Sequence, residues 1–276
     1  FRNMVIRGFH TELEAVYEEF NMSLTNDFEK MNNALYAILF PHHPYGTQTT
    51  IGTQQHLKNP SLRNVMQYYH VWYVHNNVAI CRIVYLDPDE TVRISEQYFG
   101  SWQASDSLPQ RTFPREEPLQ APVSVDVVGQ ETPMVALGWR LPAKADSQYL
   151  VMEVANSILA NGKCGLFDQN LNSAQQVMAC ETFVDGMTDQ SAFWAIGCLK
   201  EGQTLEEVRD LTLAQVRRLT SGQWDESVLK AILNNMKREQ LQAMQSNEQR
   251  AERFVDAFVA GQPWADAVGE LQRLDT

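Results

Sequence analysis

The sequence predicts an α+β fold, with helices packed on strands in each of two halves. Three observations carry this. Apolar residues recur at helical spacing through most of the chain, β-branched runs bounded by turn residues interrupt them, and a proline-bearing stretch poor in aliphatic residues divides the two sets. Strands and helices are mixed in each half, with hairpins in place of strict strand–helix–strand alternation, which separates the pattern from a parallel α/β sheet.

In the first half, Leu13, Val16, Tyr17, Phe20 and Leu24 share one face of a helix over residues 11–24. Asn26 and Asp27 form a capping signal, and Met31, Leu35, Ile38 and Leu39 carry a second helix over 27–40. Pro41-His42-His43-Pro44-Tyr45-Gly46 stops it, and 47–52 reads as a polar loop. A helix over 61–74 precedes Val78-Ala79-Ile80-Cys81-Arg82-Ile83-Val84-Tyr85, bounded by Asn76-Asn77 and Asp87-Pro88. That run is predicted to be a buried strand, with Cys81 a buried small hydrophobe. A helix over 89–100 follows, with Val92, Ile94 and Phe99 available for packing.

Pro109, Pro114 and Pro118 mark residues 103–120 as a linker, so the expected domains are 1–102 and 121–276. In the second, 123–128 and 134–141 are predicted strands around a Gly129-Gln130 turn, and 147–160 is a helix with Leu150, Val151, Val154 and Ile158 on one face. A loop at 161–165 and a short helix lead to strands near 176–184 and 192–200. The remainder, from 204 to about 271, is expected to be helical with breaks at Ser221-Gly222 and Gly261-Gln262-Pro263.

A chain of 276 residues accommodates two modest domains, and 44% hydrophobic against 20% charged residues supports packed cores. Lys and Arg number 22 against 34 Asp and Glu, a net charge of −12 that disfavours nucleic acid and anionic lipid as partners. No apolar run approaches the roughly 18–20 residues of a membrane span. The four cysteines form no C-x-x-C pair and are not a disulfide framework. The chain opens on Phe1, so it is expected not to begin at the natural start of the gene product.

The histidines are His10, His42, His43, His56, His70 and His75; no two are four apart, so neither H-E-x-x-H nor H-x-x-E-H is present. His70 and His75, turned roughly 140° from one another on a helix, read as surface or packing residues. No G-x-S-x-G, G-x-G-x-x-G or Walker A motif occurs, and Cys164 has no identifiable partner base. One constellation remains. Glu12 and Glu19 are two helical turns apart, project within roughly 20° of each other, and are expected beside the apolar stripe of Val16 and Phe20. A carboxylate at the edge of a buried face calls for a cationic partner such as a metal ion; the alternative is a solvated acidic face shared with Glu14 and Glu18.

The segment Glu12 to Glu19 resembles the Glu-x6-Glu helix of the M16 (pitrilysin/insulinase) metallopeptidases, the inverzincins. Phe40-Pro41-His42-His43-Pro44-Tyr45-Gly46, Ile51-Gly52, Tyr73 with Asn76-Asn77, the run ending at Asp87, and Tyr98-Phe99-Gly100 follow in the same order. Leu137-Gly138-Trp139, Ile158-Leu159-Ala160-Asn161-Gly162 and Gly165-Leu166-Phe167 with Leu171 extend the resemblance over essentially the whole chain. It implies two LuxS/mitochondrial-processing-peptidase-like metallohydrolase domains, helices on mixed sheets, the first incomplete at its N-terminus. It also implies zinc as cofactor, Glu19 as the third zinc ligand and Glu12 as its supporting carboxylate. The two histidine ligands and the general base would lie upstream, so the 276-residue piece alone is expected neither to hold zinc nor to cleave peptides. Peptides or unfolded polypeptides are the implied substrate, and further M16 domains or a homologous subunit the implied partners. A non-catalytic M16-like subunit is the alternative, and the compartment stays open between bacterial periplasm and cytoplasm. The turn at 42–46 is expected to be structural, its prolines and glycine imposing a sharp bend.

Overall fold

The computed structural model describes residues 4–83, 85 and 87–269. Helix α1 (Phe9–Ser23) and helix α2 (Asp27–Leu39) follow the two amphipathic patterns. The predicted cap is formed: the Asn26 side chain accepts the Glu29 N–H at 3.1 Å. Pro41 then forbids continuation. Two short helices, α3 (Pro44–Thr47) and α4 (Gln54–Lys58), flank the polar loop. Helix α5 (Leu62–Trp72), a 3-10 turn (His75–Asn77) and helix α6 (Pro88–Phe99) complete the first half, with Asp87 capping α6 and Pro88 opening it.

Two predicted strands are corrected. Residues 78–83 are extended at Val78 (φ −130, ψ 132) but do not form a strand, Ile80 is 52% exposed, and Cys81 is half-buried where burial was expected. Val84, in the same predicted run, lies outside the described residues. Residues 123–128 likewise form no strand, and Val123, Val125, Val127 and Val128 are exposed. The reason is common to both. A β-branched run becomes a strand only when a neighbouring backbone takes up its N–H and C=O groups, and none of the described residues does so here.

The second half contains strand β1 (Met134–Leu141), helix α7 (Ser147–Leu159), a π-helical turn (Asp168–Ser173), strand β2 (Ala179–Asp185) and strand β3 (Ser191–Cys198). The strands are antiparallel in the order β1-β3-β2, with Trp194 of β3 opposite Gly138 on one side and Phe183 on the other. Helices α8 (Leu205–Thr220), α9 (Ser227–Ala243), α10 (Asn247–Val259) and α11 (Trp264–Gly269) follow. Both predicted breaks in this run occur. A third separates α9 from α10, where Ser246 caps α10 by accepting the Gln249 N–H. Residues 270 and 271 of the expected run lie outside the described ones.

Central strand β3 is buried on both faces, and its alternation assigns each face a different cover. Phe193 and Ala195 face a core with Leu159, Phe167, Leu171, Cys180 and Val208, drawn from α7, the π-helical turn, β2 and α8. Ala192, Trp194 and Ile196 face Tyr36, Leu39 and Phe40 from the first half. Helix α2 thus crosses from the first half to cover the second half's sheet, giving three layers of helix, sheet and helix.

Gly197 sets the approach of α8. A Cβ built there would lie 2.5 Å from Cγ1 of Val208, which is fully buried. Gly197→Ala is expected to destabilise the chain by about 1–3 kcal/mol, the usual scale of overpacking. Urea denaturation followed by circular dichroism measures this, and an unchanged midpoint would show that α8 is not tightly seated.

Candidate functional site

Glu12 and Glu19 lie where the spacing placed them, two turns apart on α1 and about 10 Å along its axis. Both are exposed, and α1 buries none of its residues; Val16 and Phe20 are half-buried. The expected edge of a buried face is therefore absent, and neither carboxylate bears a desolvation cost. Against the rest of the first half, α1 is tied by Gln54 Nε2, which donates to the Tyr17 hydroxyl at 2.9 Å.

The turn at 42–46, expected to be a structural bend, is also a fastening. The carboxylate of Glu116, a buried residue, accepts the N–H groups of His42 and His43 at 2.7 and 2.9 Å and meets the His42 ring at 3.0 Å. Burial pushes the Glu116 carboxyl up, but the bonds from His42 and His43 outweigh it and hold the group below its ordinary range. The His43 ring, 1% exposed, accepts the Tyr45 N–H at Nδ1 (3.2 Å), which leaves Nε2 to donate toward Asp189 at 3.3 Å. The Tyr36 hydroxyl, driven up in pKa by burial and then by Asp185, donates to the Asp185 carboxylate. Arg140 of β1 donates to the Leu39 carbonyl and to the Glu117 carbonyl. His10, His42, His56, His70 and His75 are all exposed.

No three His, Cys, Asp or Glu side chains among the described residues are grouped so as to hold a metal ion. Zinc needs three protein donors and an open position. As an exposed carboxylate with no ion pair among the described residues, Glu19 fits the part of one donor, and one donor does not make a site.

A family model for the Peptidase M16 inactive domain matches residues 61–236 of this chain. The chain belongs to the M16 peptidase family. The zinc protease PqqE of Helicobacter pylori is 22% identical over 225 residues, 80% of this chain and 50% of that protein, so the chain spans about half the length of this curated relative. Among solved structures, a protease from Helicobacter pylori superposes with a TM-score of 0.87 at 20% identity, over 99% of this chain and 67% of the other. The periplasmic protease PqqL from Escherichia coli gives 0.74 at 14% identity, over 96% and 30% of the two chains. A putative M16-like peptidase from Alicyclobacillus acidocaldarius gives 0.74 at 14% identity, over 98% and 65%. These likenesses show the M16 fold.

A further candidate for chemistry in this M16 chain is a cavity of about 500 Å³ lined by Asn161, Asp168, Asn172, Cys180, Glu181 and Cys198. Its Asp168 and Asn172 side chains are already committed. Asp168 accepts the N–H groups of Asn161, Lys163 and Gly165 at 2.9–3.1 Å, and Asn172 bonds both backbone groups of Cys180. Burial pushes the Cys180 thiol up to about 12, so it stays protonated at neutral pH and is a poor nucleophile. Iodoacetamide at pH 8 is expected to leave Cys180 unmodified in the native chain and to modify it in urea. Equal labelling in both would contradict that burial.

Sequence reading missed the long-range contacts of Glu116, Arg140 and Asp27. No local signal marks them, because each partner lies far along the chain: Glu116 is 74 residues from His42, Arg140 is 101 from Leu39, and Asp27 is 103 from Gln130.

Proposed function

We propose that this chain is part of a zinc-dependent M16-type metalloendopeptidase that hydrolyses peptides or unfolded polypeptides. Glu19 serves as a zinc ligand and Glu12 as its supporting carboxylate; the two histidine ligands and the general base come from outside these 276 residues. Domains at 1–102 and 121–276, joined by 103–120, belong to this reading, as do further M16 domains or a homologous subunit as partners. The observation that carries it is a pair of exposed carboxylates two turns apart on one helix of a chain in the M16 family. When bound, zinc would supply a water of lowered pKa. This chain's contribution is one oxygen donor on a helix held against the first half through Tyr17 and Gln54.

A second reading, a non-catalytic M16-like subunit or peptide-binding partner, is favoured by the description of the matched family model as an inactive domain. Peptidase assays distinguish the two. The 276-residue chain alone is expected to cleave no fluorogenic peptide with zinc added, and the full-length protein to cleave it in a chelator-sensitive way. An inactive full-length protein would favour the second reading, and activity of the short chain would overturn the first.

A further inference from the structure

We infer that the second half of the chain sets the direction of helix α1 through a clasp on Asp27, making Asp27 a positioning residue for Glu19. The clasp is read from geometry; its bearing on Glu19 rests on the ligand role proposed above. Helix α1 ends at Ser23 and α2 begins at Asp27, so the elbow between them is short. It is also stiff: the N–H groups of Leu24, Thr25 and Asn26 donate to the carbonyls of Phe20, Met22 and Ser23 at 3.0–3.2 Å. Asn26 is committed to capping α2. With few torsions free, whatever fixes Asp27 fixes the line along which α1 leaves.

Asp27 is fixed by the other half. It is 8% exposed, and its Oδ2 accepts the N–H groups of Gln130 and Glu131 at 2.5 and 2.7 Å while Oδ1 takes the Lys30 ammonium at 2.9 Å. Lys30 first, then the Glu131 N–H, hold the carboxyl below its ordinary range, so it is ionised at neutral pH. The negative charge sits at the N-terminus of α2, where the helix dipole favours it. On the other side, a Cβ at position 129 would lie 2.3 Å from Asp27 Oδ2, so Gly129 is required for the carboxylate to seat. The turn at 129–131 leads into β1, and β1 pairs with the buried β3. The donor set is thus anchored to the buried sheet, and α1 takes its bearing from that sheet as well as from α4.

Hydrogen exchange by mass spectrometry on the 276-residue chain tests the clasp. Asp27→Ala removes both acceptors, Gly129→Ala blocks the seat from the opposite side, and Asp27→Asn keeps one carbonyl acceptor. The first two are expected to speed exchange over residues 9–23 by about tenfold while leaving residues 191–198 unchanged, and Asp27→Asn to fall between them and wild type. Unchanged exchange over 9–23 in both Asp27→Ala and Gly129→Ala would overturn the inference, as would equal acceleration of 191–198, which would mean general destabilisation. Gly129→Ala and Asp27→Asn keep the test decisive if Asp27→Ala fails to fold. In the full-length protein loaded with cobalt(II), Asp27→Asn is expected to shift the visible absorption and weaken metal affinity by about tenfold. A cobalt spectrum unmoved by Asp27→Asn but changed by Glu19→Gln would sink the positioning role alone. One unmoved by Glu19→Gln would sink the ligand role and leave the clasp to the exchange result.

Discussion

Trp194→Ala is expected to cost about 3–5 kcal/mol, the scale for truncating a buried large aromatic, and to lower Tm by about 10 °C in a chain of this size. Trp194 is 1% exposed at the centre of β3. Its ring stacks on Phe183 at 5.5 Å and meets Tyr36 and Phe28 of α2 at 5.8 and 6.1 Å. Truncation would therefore leave a cavity between two layers that belong to different halves of the chain, where neither backbone can collapse to fill it. Such a loss is a large fraction of the 5–15 kcal/mol by which proteins are stable. Phe258→Ala serves as the control, because Phe258 is 54% exposed and its truncation should stay within about 0.5 kcal/mol. Calorimetry on both variants checks the contrast. Equal, small effects would mean that α2 does not rest on the sheet.

Glu19→Gln in the full-length protein is expected to abolish chelator-sensitive peptide hydrolysis, whereas Glu12→Gln should lower activity by about 10–100-fold. The two substitutions are chemically identical and both positions are exposed, so they differ little in folding cost. They differ in the proposed role. A neutral amide at position 19 removes a charged donor to the metal, while one at position 12 disturbs only the orientation of that donor. Equal effects, or none, would show that the seven-residue spacing reflects a solvated acidic face shared with Glu14 and Glu18.

Much of the fold was legible because its signals are local. The Asn26 cap and the proline after α2 delimit helices by chemistry within a few residues. Strand β1 matched its predicted bounds because its pattern suits a sheet that is present. Residues 78–83 and 123–128 carry equally good strand patterns and are not strands, since pairing depends on a neighbour that local sequence does not specify. The destination of α2 was hidden for the same reason: Leu35, Tyr36 and Leu39 announce a buried face without saying that the second half's sheet covers it. At the site, spacing gave the positions of Glu12 and Glu19 but overestimated their burial. The clasps at Asp27, Glu116 and Arg140 depend on long-range contacts and left no local trace.

Zinc content of the full-length protein, measured by inductively coupled plasma mass spectrometry on wild type and Glu19→Gln after identical dialysis, tests the central claim most directly. The expected result is about one zinc per chain in the wild type, as a single three-donor site requires, and its loss in the variant. A wild type without zinc, or a variant that retains it, would contradict the assignment of Glu19 and leave the M16 fold standing without the metal chemistry.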